Sequence, residues 1–244
     1  MRVGIEIEFT GVTVYTATKS LARHWGTTYE STSFMRSDGP KPIFVIPDKF
    51  GNIWRTMRDS SIRAAKIDGI QNLTEYACEI TTPVLDTENK QDMDLLKEAM
   101  DHLRGIGGVV NDSCGIHIHV DMQDLAWVDK VFKKVFMHQN SIASTLHIPM
   151  YRMEKYCKLY PEWFTRLYVA RSPFKSLEEW ESFFYEFLTG GEDINDAHNP
   201  IRYYVVNMNS IHVRNTLEFR PFNSSLDYAD MLDYIKMVDW FCAV

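Results

Sequence analysis

Carboxylates and imidazoles recur in this chain two residues apart. Glu6 and Glu8 stand in Gly4-Ile-Glu-Ile-Glu-Phe9, and His117, His119 and Asp121 in Gly115-Ile-His-Ile-His-Val-Asp121. Glu218 and Arg220 stand in Thr216-Leu-Glu-Phe-Arg-Pro221, and Glu75 and Glu79 in Glu75-Tyr-Ala-Cys-Glu79. Like charges held close repel one another unless a cation neutralises them, so a group of this kind suits a divalent metal ion.

Such spacing needs strands to position it. Successive side chains of a strand point to opposite faces, and residues two apart share one. Ile5, Ile7 and Phe9 then take a core face while Glu6 and Glu8 share the other. Ile116, Ile118 and Val120 likewise oppose His117, His119 and Asp121, and Leu217 and Phe219 oppose Glu218 and Arg220. A solvated strand face is the plain alternative. It usually carries Lys, Thr, Ser and Gln with charges of mixed sign, whereas these faces carry mostly carboxylates and imidazoles.

The remaining pattern supplies the frame. Strands are expected at 2–10, 73–82 (closed by Pro83), 115–121, 202–209 and 215–222. Ile43–Ile46 and Ile53–Arg58 flank a turn at Asp48-Lys-Phe-Gly-Asn52 and form a hairpin. Met93, Leu96, Met100 and Leu103 recur at helical spacing, with Gly105, Gly107 and Gly108 ending the helix. A long amphipathic helix follows over about 124–146, and 150–199 is mostly helical and aromatic, with a Ser176-Leu-Glu-Glu start and a Gly190-Gly191 stop. An apolar helix begins near 228. Strands interrupted by irregular helical segments predict an α+β fold with a largely antiparallel sheet. No Gly-rich loop follows a strand, so neither a P-loop nor a dinucleotide fold is supported.

Five motifs occur in one order: Glu6-x-Glu8, Asp59-Ser-Ser-Ile62, Glu79-Ile-Thr-Thr-Pro-Val-Leu85, Gly115-x-His-x-His119 and Glu218-x-Arg220. Together they resemble the carboxylate–amine ligases related to glutamine synthetase and glutamate–cysteine ligase, and in particular the "putative amidoligase" family of phages and microbes. The resemblance covers both ends of the chain and leaves about 122–200 unmatched. It implies a single glutamine-synthetase-like catalytic domain over 1–244, helices packed on one face of the sheet, and a helical insertion at about 122–200, whose helices at about 150–190 are the candidate for a closing lobe. It implies that Glu6 and Glu8 hold two different ions, Glu79 joining Glu8 on one, with His117 and Glu218 joining Glu6 on the other. His119 is then assigned to nucleotide phosphate, Arg220 to the transferred phosphoryl group, and Asp59 to the amine site. The order Arg58-Asp-Ser-Ser here departs from the usual Asp-Gly-Ser. Arg202 and Asn207 are further candidates for holding phosphate or substrate. The implied cofactors are ATP with Mg²⁺ or Mn²⁺; hard oxygen ligands favour Mg²⁺, and an imidazole among them is comfortable on Mn²⁺. The implied reaction joins a small-molecule or peptide carboxylate to an amine through an acyl phosphate.

Composition bounds this reading. The chain has 244 residues, 45% of them hydrophobic, enough for a sizeable core. No apolar run approaches the ~20 residues that span a bilayer, and no signal peptide is read at the start. A formal charge of −7 argues against a nucleic-acid partner. The basic group Arg55, Arg58, Arg63 and Lys66 suits a small anion or a solvated face. Cys78, Cys114, Cys157 and Cys242 have no CxxC spacing, which fits a reducing compartment, the cytoplasm of a cell or of an infected host. Cys114 reads as a small buried hydrophobe, and Trp180, Phe183, Phe184 and Phe187 read as core. His24, His102, His138, His147 and His198 form no site by spacing, and His212 is a candidate for the pocket wall. Two other functions compete: a metal-dependent hydrolase built on His-x-His, and a non-catalytic interaction protein that keeps the fold. Oligomeric state stays open.

Overall fold

The computed structural model describes residues 1–36, 39–65, 73–190 and 199–244. Lys66, Gly191 and His198 lie outside the described residues. The chain forms two compact units, one of Met1–Ile116 with Asn223–Tyr234 and the other of His117–Phe222 with Ile235–Val244. All strand pairings whose register is given below are antiparallel.

The first unit holds β1 (Arg2–Phe9), α1 (Val14–His24), β2 (Glu30–Arg36), β3 (Gly39–Pro47), β4 (Ile53–Arg58), β5 (Cys78–Thr81), β6 (Leu85–Asp86) and α2 (Lys90–Gly105). Its strands run in the order β2-β3-β4-β5-β1, with β6 also beside β1. The hairpin between β3 and β4 turns on Asp48, whose carboxylate accepts hydrogen bonds from the amides of Phe50 (2.8 Å) and Asn52 (3.0 Å) and from the Trp54 indole (3.1 Å). Gly51 adopts φ +89° in that turn, a conformation costly for a residue with a Cβ. Ile5, Ile7, Phe9, Trp54 and Ile80 are all buried. α1 lies against β3 and β4 on this apolar side, where the Thr18 and Thr56 hydroxyls meet at 2.5 Å. α2 runs along α1 and β6 and ends where Gly107 takes φ +100° and the Gly108 amide donates back to the Leu103 carbonyl at 2.9 Å.

The second unit holds α3 (Leu125–Thr145), α4 (Met150–Lys155), α5 (Glu162–Arg171), α6 (Leu177–Thr189), β8 (Val206–Asn207), α7 (Ser210–Arg214) and β9 (Thr216–Asn223). β7 (Gly115–Asp121) begins in the first unit and continues in the second, where the strand order is β7-β9-β8. α8 (Tyr228–Cys242) starts in the first unit and ends in the second. The Ser176 hydroxyl caps α6 by accepting from the Glu179 amide at 3.1 Å, and Gly190 ends the helix at φ +69°. Phe132 meets Trp180 and Phe184 edge-on at 5.2 and 5.0 Å, with Tyr168 donating nothing to the Trp180 indole but accepting from it at 2.7 Å. Trp180, Phe183 and Phe184 are core, whereas Phe187 is 38% exposed while still resting on Phe183.

Three expectations change. The strand expected over 73–82 is a 3-10 turn at Leu73–Tyr76 followed by β5. The Ala77 amide closes that turn on the Thr74 carbonyl at 3.3 Å, so Glu75 does not share a strand face with Glu79. The strand expected over 202–209 shrinks to the two residues of β8. Asn199 and Pro200 start a 3-10 turn through Tyr203, and α7 begins at Ser210. α1 is not anticipated by the pattern above, although Val14, Ala17, Thr18, Leu21 and Ala22 bury one stripe of it. No helix among the described residues is long and apolar enough to cross a membrane.

Candidate functional site

In the first unit, pairing of β1 with β5 sets Glu8 directly opposite Glu79, and Glu6 opposite Thr81. Residues opposite one another across an antiparallel pair share a face, where two like charges are destabilising. Asp59 follows β4 and completes the group: one ligand atom each of Glu8, Asp59 and Glu79 lies within 4.8 Å of the others. Glu8 and Glu79 are buried, 4% and 9% exposed, so this strand face is not the solvated one of the plain alternative.

Backbone amides aim two of the three carboxylates. The Gly115 amide donates to Glu8 Oε2 at 2.6 Å, and the Ser61 amide to Asp59 Oδ1 at 2.6 Å. The Asp59 amide in turn donates to the Ala77 carbonyl at 3.0 Å, which ties the loop to the residue before β5. Burial, then the charges of Glu6, Asp59 and Glu8, push the Glu79 carboxyl well above the usual carboxylate range. A proton is the smallest cation that relieves such a group, and a divalent ion can relieve more of it. Three carboxylates converging this closely offer the hard oxygen donors that Mg²⁺ or Mn²⁺ takes. The residues present therefore fit such an ion.

The polar face of the second unit is built differently. Glu218 and Arg220 project from β9, and the Arg220 guanidinium contacts the Glu218 carboxylate through Nη1. Glu218 also accepts from the Asn207 side-chain amide at 2.6 Å and lies 3.5 Å from His117 Nδ1. Asn207 stands opposite Glu218 in the β8–β9 pair, which explains the contact. Arg220 Nε donates to the Tyr156 carbonyl at 3.0 Å. His117, Glu218 and Arg220 are all about 95% buried, with opposite charges already in contact. His119 lies two residues along β7 with Nδ1 at 3.0 Å from the Thr216 hydroxyl, 3.3 Å from that of Ser210, and with Nε2 at 3.2 Å from Arg214 Nη1.

The chain matches the profile of a family described as "putative amidoligase enzyme" over residues 1–242. It belongs to this family. Membership places it among enzymes of the ligase class. No curated protein matches the chain.

Several sequence candidates fall elsewhere. Arg202 sits in the 3-10 turn rather than on a strand, with its guanidinium 5.4 Å from the Tyr203 ring centre. Asp121 is exposed at the end of β7. Arg55 is exposed in the row Arg55–Thr81–Glu6, whereas Arg58 reaches Thr74 at 3.3 Å and Arg63 pairs with Asp112. Cys114 is buried with Ile62 and Ala77, and the four cysteines are free thiols. His212 is paired with Glu181 at 3.2 Å. His24 stacks on His102 at 4.4 Å, and His138 meets Trp240 edge-on. Pattern reading missed Arg152, 1% exposed, which donates to the Arg220 and Phe222 carbonyls at 3.3 and 3.1 Å. It also missed Ser210, Arg214 and Thr216, which surround His119. Nothing in their spacing marks these residues; only the fold of the β8–β9 segment does.

Proposed function

We propose that the chain is an ATP-dependent carboxylate–amine ligase of the glutamine synthetase and glutamate–cysteine ligase superfamily, with a catalytic domain of that fold. The group Glu8–Asp59–Glu79 carries this reading: three converging carboxylates, two of them buried, are best relieved by a cation, and family membership gives that cation a ligase reaction to serve. On this reading one ion is held by Glu8 and Glu79, with Asp59 beside them, and a second by Glu6, His117 and Glu218. The helices at about 150–190 are the lobe that shields the reaction from water. Free thiols suit a cytoplasmic setting, or host cytoplasm if the protein is phage-encoded.

A carboxylate is a poor electrophile, so amide synthesis first requires its conversion to an acyl phosphate, which an amine then attacks. Divalent ions supply charge neutralisation at the phosphate oxygens. The chain's own residues orient and exclude water. Asn207 and Arg220 hold the Glu218 carboxylate in one rotamer, and the amides of Gly115 and Ser61 do the same for Glu8 and Asp59. Arg220 provides a planar donor group that can grip two phosphoryl oxygens.

The test is ADP release with a panel of carboxylates and amines, in Mg²⁺ and in Mn²⁺, with hydroxylamine added to capture the activated carboxylate as a hydroxamate. ADP and hydroxamate should appear together and only when a carboxylate is present. ATP cleavage at full rate without any carboxylate would replace the ligase reading with a nucleotidase.

A further inference from the structure

We propose that Ser113 is a positioning residue for Asp59. With Asn111 it holds the loop that carries this carboxylate against the turn leading into β7, and so sets how closely Asp59 approaches Glu8 and Glu79. The inference rests on the reading of these three carboxylates as the ligase's cation site, and adds a residue that acts on the site without touching the ion.

The chain leaves β4 at Asp59, and from there its main-chain polar groups must find partners outside that strand. The Asp59 amide takes the Ala77 carbonyl at 3.0 Å. Arg63 is held through both of its main-chain groups: its amide donates to the Ser113 hydroxyl at 2.8 Å, and its carbonyl accepts from Asn111 Nδ2 at 2.7 Å. The Ala65 amide donates to Thr10 Oγ1 at 2.8 Å. Thr10 lies two residues beyond Glu8 and is itself fixed, because its amide and carbonyl pair with the carbonyl and amide of Val109, both at 2.8 Å. Between these ties Ile62 is buried with Ala77 and Cys114.

The sequence Asn111-Asp-Ser-Cys114 makes the receiving end stiff. The Cys114 amide closes the turn on the Asn111 carbonyl at 3.0 Å. Asn111 Oδ1 accepts from the Ser113 amide at 2.9 Å and from its hydroxyl at 2.6 Å, the local closure that an asparagine at the head of a turn supplies. The Cys114 carbonyl accepts from the Ser224 amide at 3.2 Å, and the next residue, Gly115, gives its amide to Glu8. Ser113 therefore stands two residues from the donor that aims Glu8 and one hydrogen bond from the loop that carries Asp59. It is 1% exposed, and its hydroxyl both accepts and donates, so one substitution removes the Arg63 acceptor and the Asn111 donor together. The Arg63 side chain also pairs with Asp112 of this turn, but both groups are more than half exposed, and such a pair holds a loop only weakly.

The experiment is calorimetric titration of the full chain with Mn²⁺, comparing wild type, Ser113→Ala, Asp59→Asn and the double variant, with urea denaturation of each metal-free protein alongside. Ser113→Ala and Asp59→Asn should each weaken Mn²⁺ binding about tenfold, as expected when a group that orients a ligand is lost. In the double variant the serine change should add less than about twofold, because its effect passes through Asp59. Its effect on folding stability should persist in that background, which separates the fold from the ion. Asn111→Ala removes the other tie to Arg63 at a part-exposed position and should give the same pattern; it serves if Ser113→Ala fails to fold. Unchanged Mn²⁺ affinity in Ser113→Ala and Asn111→Ala, with Asp59→Asn weakened, overturns the inference and leaves the cation site standing. A tenfold loss from Ser113→Ala with and without the Asp59 carboxylate also overturns it, since the serine would then act on the fold at large. Unchanged affinity in Asp59→Asn takes Asp59 out of the site and the inference with it, and wild-type protein that binds no Mn²⁺ overturns the reading of the site as well.

Discussion

Two polar strand faces, one in each unit, meet the cost of burial in opposite ways. In the first unit Glu8, Asp59 and Glu79 gather like charges, and the Glu79 carboxyl responds by holding its proton far more tightly than usual. In the second, Glu218 is already matched by Arg220, Asn207 and His117. A cation or a proton relieves the first, and the second already has an arginine beside its carboxylate. The difference separates a group of like charges from one that carries an arginine beside its carboxylate. A substitution in one should therefore behave unlike the matching substitution in the other.

The largest effect is expected in the second unit. Glu218→Ala leaves the Arg220 guanidinium buried without its carboxylate, and breaking a buried pair costs roughly 3–5 kcal/mol. Urea denaturation without added metal should show that loss. A change below about 1 kcal/mol would mean the pair contributes little, and the contrast between the two faces would disappear.

Arg220→Lys comes next, and turnover in the hydroxamate assay is its measure. Lysine keeps the charge but not the planar fork that reaches Glu218 and the Tyr156 carbonyl together. Loss of a preorganised donor is expected to cost about 2.7–4 kcal/mol, or about 10²–10³ in rate. A variant that keeps most of its rate would reduce Arg220 to a neutralising charge.

How far these residues could be read from sequence depends on what each one needs. Strict alternation in Ile5-Glu-Ile-Glu and Ile116-His-Ile-His exposes both faces of β1 and β7, because the apolar partners must be buried wherever the strands lie. Asp59 as a neighbour of Glu8 and Glu79 is less legible, since it sits on a loop whose path depends on a hydrogen bond to Ala77. Glu75 misleads because a strand does follow at Cys78–Thr81, while the backbone just before it closes a 3-10 turn. Arg152, Arg214 and Thr216 show nothing by spacing; tertiary contacts alone give them a role. The aromatic helices read correctly as core from their period, apart from exposed Phe187.

A smaller effect should appear in pH dependence. Burial, then the charge of Glu178, pushes the Glu181 carboxyl up to about 7, and its neighbour is His212 at 3.2 Å, lowered by burial. Glu181 thus keeps its proton in the folded chain between its ordinary unfolded value and about 7. Its contribution is fully present below the unfolded value and is lost as pH rises through the folded one, at about 1.4 kcal/mol per pH unit across that window. Glu181→Gln, which stays neutral, should flatten this slope by about 2 kcal/mol between pH 5 and 8 in thermal melts. An identical slope in the variant would show that Glu181 titrates normally.

Titration of the metal-free chain with Mn²⁺, wild type against Glu79→Gln, tests most directly whether the first unit's carboxylates are arranged for a cation. Removing one of three crowded charges should leave the metal-free protein as stable as wild type or slightly more so, while Mn²⁺ affinity falls about tenfold or more. Proton release on binding should fall with it, because the proton displaced from Glu79 is gone. Equal Mn²⁺ affinity in the two proteins, or none in the wild type, would contradict the account.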